Sequence, residues 1–302
     1  MHGQAAFERL LAEQLVPLRG RYKDVGIHLT APAGVEALPG VALLDPATLR
    51  DHLARFGERI GTTDRRIAGV HWLGQLGYAV LPPIEMAMTR AGIGLDASLD
   101  NLAILQPDGQ PSAIQLLDTS ATVVLPGRYR GALPPDQIGR RVASAEELRR
   151  FVLAGLFGRT FLPLVNRIHD LTTVSRQVLW GQVAFEADLF YQQLARVLPE
   201  ERNAAWEDDR AACFDTREWS VAPGPSPLYQ PTRVVTGRDP ATGEATTRTL
   251  RSTCCLIYKV PTGRMCSACP LAPKRETVAD KLATVGERRA ARGLVLRSLP
   301  DA

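Results

Sequence analysis

Arg251-Ser-Thr-Cys254-Cys255-Leu-Ile-Tyr258-Lys259-Val-Pro-Thr-Gly-Arg264-Met-Cys266-Ser-Ala-Cys269-Pro-Leu271 holds four of the five cysteines of a 302-residue chain. Their pattern is Cys-Cys-x10-Cys-x2-Cys. Structural cysteines buried for packing scatter rather than cluster. Met1-His2-Gly3-Gln4 lacks the basic start of a secretory signal, so a cytoplasmic, reducing location is expected, where disulfides rarely persist. Metal ligation is the reading left. Four thiolates suit tetrahedral Zn2+ and an iron–sulfur cluster alike. Zinc ribbons usually bring two Cys-x2–4-Cys knuckles, whereas here one knuckle faces an adjacent pair. Neighbouring side chains on an extended backbone point to opposite faces, which suits a two-iron unit better than a compact mononuclear site. Spacing therefore favours iron–sulfur and leaves zinc open.

The surroundings of the cysteines are cationic. From Ala245 to Arg275 there is no acidic residue, while Arg248, Arg251, Lys259, Arg264, Lys274 and Arg275 are basic. An ordinary solvated loop can be basic, but a run this long without an acid also fits the shell of an anionic cofactor. Over the whole chain the net charge is only +4, too small to argue for nucleic acid. Apolar residues at 45% and charged residues at 23% are globular usage.

Upstream, the pattern is helical. Ala5 to Leu18 places Phe7, Leu10, Leu11, Leu15 and Leu18 at helical spacing. Asp45-Pro46 is a cap followed by Pro at the first helical position, ahead of the stripe Leu49, Leu53, Phe56 and Ile60. Arg65 to Arg90 is helical but is expected to break or kink at Pro82-Pro83. Leu102 to Leu105 and Ala113 to Leu117 flank Pro107-Asp108-Gly109 and form a hairpin. Ser144-Ala-Glu-Glu147 is a capping box, and further helices are expected over Val174 to Val197 and Glu200 to Cys213. After the stiff Ala222-Pro-Gly-Pro-Ser-Pro227, strands at Thr232 to Thr236 and Ala245 to Leu250 make a second hairpin, and a charged helix from about Glu276 to Leu294 closes the chain. The apolar stretches Tyr78 to Ile84 and Phe151 to Val165 are short or interrupted, so no integral membrane segment is expected.

The fold class is thus α+β, predominantly helical. A helical body (1–213) carries a β-hairpin near 101–118. A Pro-rich linker and hairpin (214–252) lead to the cysteine segment and its terminal helix (253–302). Gly74 and Gly77 follow no strand and open no phosphate loop, which argues against dinucleotide binding. Cys213, alone outside the motif, reads as a buried structural thiol, and Trp72, Trp180 and Trp206 read as core.

The cysteine segment resembles the C-terminal motif of the FhuF-type ferric-siderophore reductases, and its spacing matches that motif without departure. Over the body, Ser175-Arg176-Gln-Val-Leu179-Trp180-Gly181 is similar to a segment many members carry. The resemblance implies that Cys254, Cys255, Cys266 and Cys269 hold a [2Fe-2S] cluster. It implies a ferric siderophore as substrate, and a ferredoxin, flavoprotein or similar low-potential partner as electron donor. The family's body is related in fold to the C-terminal part of aerobactin-type siderophore synthetases, but no nucleotide site is evident here.

The chemistry implied is simple. Hard oxygen donors hold Fe3+ tightly and Fe2+ weakly, so a single electron labilises the chelate and no proton-transfer dyad is needed. Candidates for lining a chelate pocket are His71, Arg167, His169, Arg176 and Trp180. Arg251, Tyr258, Lys259 and Arg264 are candidates for tuning the cluster by charge or hydrogen bonding. Two rivals stand beside this reading: a structural-zinc protein that docks a partner, and a cluster-bearing siderophore binder or sensor without turnover.

Overall fold

The computed structural model describes residues 2–128, 140–201, 204–238, 245–260, 263 and 265–271. Seven α-helices lie among them: α1 (His2–Leu15), α2 (Pro46–Arg59), α3 (Arg65–Ala91), α4 (Ala145–Leu153), α5 (Leu162–Thr172), α6 (Arg176–Val197) and α7 (Ala204–Phe214). The strands are β1 (Ile27–His28), β2 (Ala37–Pro39), β3 (Ile93–Gly94), β4 (Leu102–Leu105), β5 (Ala113–Leu116), β6 (Val123–Val124), β7 (Arg140–Arg141), β8 (Thr232–Arg238) and β9 (Ala245–Arg251). The fold is helical α+β, with small sheets. The charged helix expected over 276–294 lies outside the described residues.

Local chemistry explains most boundaries. Asp45 caps α2 by accepting from the Thr48 amide at 2.7 Å, and Pro46 follows at its first position. At α4 the Ser144 hydroxyl accepts from the Glu147 amide at 3.2 Å, while the Glu147 carboxylate reaches back to the Ala143 amide at 3.0 Å. The expected hairpin forms as β4 and β5, antiparallel with Ile104 opposite Ile114. Two strands that sequence reading missed, β2 beside β4 and β1 parallel to β5, complete a four-stranded sheet in the order β1-β5-β4-β2. Both are two or three residues long, too short for a period-2 pattern to register.

The expected break at Pro82-Pro83 does not occur. Helix α3 runs unbroken from Arg65 to Ala91 with both prolines buried. An interior Pro costs a helix roughly 3 kcal/mol. Here α3 forms the centre of the body, packed against α6, α2 and α1, and nearly all of its residues from Ile67 to Ala91 are buried. Tertiary burial on this scale outweighs the local penalty. Glu85, one turn further on, is fully buried with both carboxylate oxygens lacking a hydrogen-bond partner. Burial, and then the neighbouring Asp188, hold its carboxyl well above the ordinary range, so it sits in the core as the neutral acid.

A second surprise is Ala154–Phe161, where the helical run between α4 and α5 widens into π geometry. Arg159 and Pro163 do not end the helix, so Ala145–Thr172 is long and apolar enough to cross a membrane, with a mean hydropathy of 1.3 in its most apolar window. More than half of that window is buried inside the protein, as in a core helix.

Candidate functional site

The site is built where β9 runs into the cysteine segment and both rest on α3 and α6. The backbone amide of Arg251, at the end of β9, donates to the Ala268 carbonyl at 2.8 Å, which ties the strand to the Cys266–Cys269 turn. That turn closes on itself through the Cys269 amide and the Cys266 carbonyl at 2.9 Å. Ser252 is anchored twice, its amide to the Pro231 carbonyl at 2.8 Å and its hydroxyl to the Gln230 carbonyl at 2.6 Å. Leu256 then adopts a left-handed conformation (φ 65°), which turns the chain sharply after the adjacent cysteines.

Two glycines create the seat. On α6, a Cβ at Gly181 would lie 2.8 Å from Thr253 Cβ and closer still to its hydroxyl. Thr253 can rest on the helix backbone only because that Cβ is missing. On α3, a Cβ at Gly74 would lie 3.0 Å from Gln182 Cδ, so the same absence admits the side chain that holds Arg251. Gly181→Ala should therefore displace Thr253 and the cysteines next to it. We expect overpacking of about 1–3 kcal/mol and a lowered iron content per chain. Gly77→Ala on α3, where the added Cβ meets nothing nearer than 3.4 Å, is the control and should leave iron content unchanged. Adding Thr253→Gly to Gly181→Ala should restore part of the iron, as measured by elemental analysis.

All five cysteines are unbridged. Cys255 and Cys269 are buried, while Cys254 and Cys266 are half-buried. The Cys266 side chain holds the Cys255 thiol strongly below its ordinary value, helped by His71, the Ile257 amide and Arg251 against desolvation. The same interaction pushes Cys266 up, and burial raises Cys254. The Leu256 amide donates to the Cys254 sulfur at 3.4 Å.

Arg251 is the cation of the site and only 4% exposed. Its guanidinium lies over the Phe185 ring at 4.0 Å and donates to Gln182 Oε1, while its Nε is buried without a hydrogen-bond partner. Gln182 in turn donates to Glu186 Oε1 at 3.0 Å. His71 on α3 bonds the Cys255 carbonyl through Nε2 at 2.9 Å. Burial lifts the Glu186 carboxyl to about 6, with Arg251, Arg21 and His71 pulling the other way. A carboxyl raised above its ordinary 4.5 favours the fold only while protonated, so this contribution is full below about 4.5 and lost as pH rises through 6. The side chain is half-buried, and screening keeps the effect near 1 kcal/mol. Apoprotein should lose that much stability between pH 5 and 7 relative to Glu186→Gln, read as the difference in denaturation midpoints.

Residues 70–241 match the family model described as "Ferric iron reductase FhuF-like transporter", which covers more than half of the chain. Residues 251–271 match the "FhuF 2Fe-2S C-terminal domain". The chain belongs to the FhuF family. Its cofactor is a [2Fe-2S] cluster. Among solved structures, aerobactin synthetase IucC from a hypervirulent Klebsiella pneumoniae is similar in fold (TM-score 0.51, 16% identity, 66% of this chain and 37% of that one). So are aerobactin synthetase IucA from the same pathotype (0.50, 16%, 64% and 37%) and the petrobactin biosynthesis protein AsbB of Bacillus anthracis (0.50, 15%, 66% and 36%). The chain thus spans little more than a third of the length of these proteins. No curated protein matches it.

The residues present fit the FhuF cofactor. A four-thiolate [2Fe-2S] unit carries a charge of about −2. Arg251 offers a buried cation with a spare donor whose charge acts on Cys255 and Cys266, and each of the four unbridged thiols is in electrostatic reach of two others. Among the described residues no three metal-ligating side chains close on a single ion.

The other sequence candidates fall elsewhere. His169 bonds the Val174 carbonyl through Nδ1 at 2.7 Å, and Arg176 donates to Asn166 Oδ1 at 2.7 Å, so both help close the α5–α6 corner. Arg167 is half-buried on α5. Trp180 is buried, edge-on to Trp219 at 5.3 Å between ring centres. Tyr258 and Lys259 lie in a short 3-10 turn after the adjacent cysteines, half-buried and exposed respectively, and Arg264 lies outside the described residues. Sequence reading missed Gln182, Phe185 and Glu186. Its one available signal was Gln182, a polar residue on the otherwise apolar face of Leu179, Val183 and Ala187.

Proposed function

We propose that this protein is a ferric-siderophore reductase in which Cys254, Cys255, Cys266 and Cys269 ligate the cluster. The bound cluster supplies one electron at a time. The protein passes it to siderophore-held Fe3+, and the product Fe2+, more weakly held by hard oxygen donors, is released. The observation that carries the reading is the 2Fe-2S motif matched over residues 251–271, with four unbridged thiols and a buried Arg251 whose Nε has no hydrogen-bond partner. Membership of the FhuF family supports it; the likeness to siderophore synthetases is one of fold, and the reading does not rest on it.

In this reading the chain's own residues have distinct tasks. Gly181 and Gly74 admit the segment to the helix surface. Arg251, fixed by Gln182 and Phe185, stabilises the added negative charge and so raises the reduction potential. The half-buried Cys254 and Cys266 mark the side from which an electron leaves to a chelate or enters from a ferredoxin- or flavin-type donor.

Anaerobically reduced protein mixed with ferric hydroxamate, catecholate and carboxylate chelates, with ferrozine as the Fe2+ trap, tests the proposal. Stoichiometric Fe2+ from at least one chelate supports it. A coloured protein that binds chelate but yields no Fe2+ is a carrier, and a colourless protein with one zinc is a docking module; either result overturns the reductase.

A further inference from the structure

We infer that the ferric chelate binds in a cleft floored by His71, Gln75 and Tyr78 and bordered by Glu186 and Arg21, at the edge of the cysteine segment. The identity of the ligand rests on the reductase reading; the cleft itself does not.

Helix α3 is the buried centre of the body, and between Ile67 and Thr89 only His71, Gln75 and Tyr78 escape full burial. Positions i, i+4 and i+7 share one helix face, and at 1.5 Å per residue the strip is about 10 Å long. Solvent thus reaches a central helix along a single polar line. Structure rises on each side of it. At its head, His71 Nε2 bonds the Cys255 carbonyl at 2.9 Å. On one flank, Gln75 Nε2 donates to the Pro111 carbonyl, just before β5, at 2.8 Å. On the other, α6 packs over Gly74 and Gly77, where added Cβ atoms would lie 3.0 Å from Gln182 Cδ and 3.6 Å from Glu186 Cγ. At its foot, the Tyr78 hydroxyl donates to the Arg21 carbonyl at 2.7 Å, and the Tyr78 ring lies 5.1 Å from that of Tyr22.

These borders supply what the periphery of a chelate needs. Among the described residues, Gln75 Oε1, Glu186 Oε2 and the second ring nitrogen of His71 have no protein partner, and all three side chains are half-buried. The two oxygens can accept from amide or hydroxyl groups of the ligand. Arg21 is exposed, its guanidinium 5.8 Å from the centre of the Tyr22 ring, and offers N–H donors to iron-bound oxygens, which keep partial negative charge. A short recess with a few convergent polar groups suits a small molecule, whereas a donor protein needs a face of about 800 Å². The cavities between α6 and α7 and beside α2 and α5 share no lining residue with this cleft or with the cysteine segment.

Titration calorimetry with gallium(III) chelates of hydroxamate, catecholate and carboxylate type tests this without electron transfer, because Ga3+ copies the charge and coordination of Fe3+ and is not reduced by the protein. At least one should bind. Gln75→Ala should weaken that binding about five- to tenfold, the loss of one hydrogen bond, and Gln75→Trp, which fills the floor, should abolish it. Ala54→Trp and Ala195→Trp, which fill the other two cavities, should leave it unchanged. Iron content should stay at the wild-type level in all four variants. If Gln75→Trp loses iron, Arg21→Ala decides at the far end of the strip, with an expected loss of about tenfold. Binding of none of the three chelates, undiminished binding by Gln75→Trp or by Arg21→Ala, or an equal loss in Ala54→Trp or Ala195→Trp overturns the inference. Fe2+ release is read separately. A protein that binds gallium chelate through this cleft but yields no Fe2+ keeps the cleft and loses the reductase; one that yields Fe2+ while Gln75→Trp binds normally keeps the reductase and loses the cleft.

Discussion

Replacing any one of Cys254, Cys255, Cys266 or Cys269 by Ala leaves a protein without visible absorbance that no longer yields Fe2+ from ferric chelates. Each removes one of the four thiolates proposed to hold the cluster. The fifth cysteine is the control. Cys213 is 3% exposed on α7, and burial, then Glu85 and Asp209, hold its thiol well above the ordinary value, so it persists as a neutral, packed group. Cys213→Ala should keep full absorbance and Fe2+ production, with a loss of about 1–2 kcal/mol from the small cavity. Iron content, the visible spectrum and the thermal midpoint of the five variants separate the two classes. A bleached Cys213→Ala, or an unbleached variant at any of the four, would contradict the ligand assignment.

The cysteine motif was legible because metal ligation imposes residue type and spacing within one short segment. The capping residues Asp45 and Ser144 were legible for a related reason: each acts on an amide three positions away. What the sequence hid is non-local. Nothing near Pro82-Pro83 announces that α6, α2 and α1 wrap α3 closely enough to keep it helical. The seat of the cysteine segment was hidden in the same way. Gly181 precedes Thr253 by seventy-two positions, and only the folded contact shows why a side chain is excluded there. His71 was read as a candidate for lining a chelate pocket, and its contact with the Cys255 carbonyl, 184 residues away in sequence, was not foreseen. Arg251, by contrast, was named from sequence because its charge lies beside the cysteines, although its burial and its stacking on Phe185 were not foreseen.

Arg251→Met should have opposite effects on apoprotein and holoprotein. In apoprotein the guanidinium is a buried cation whose nearest carboxylate, Glu186, is reached only through Gln182, and its Nε has no partner. Exchanging a poorly compensated buried ion for an apolar side chain of similar length is commonly neutral or stabilising by about 1–4 kcal/mol. Methionine also keeps the contact with Phe185, so the apoprotein midpoint should hold or rise. In holoprotein the anionic cluster is the partner that Arg251 lacks. Removing the cation there strips a compensating charge from a buried anion, a loss of about 3–5 kcal/mol in comparable buried pairs. Holoprotein should therefore melt earlier and release iron faster. Its reduction potential should fall, because the more negative, reduced state loses more than the oxidised one. Arg251→Lys separates charge from shape: it retains the cation but not the planar fork held by Gln182, and should restore most of the potential and little of the iron retention. The decisive comparison is the sign of the stability change with and without iron. Destabilisation of equal size in both forms would make Arg251 a packing residue, and the site would then lose the buried charge on which the fit of an anionic cluster depends.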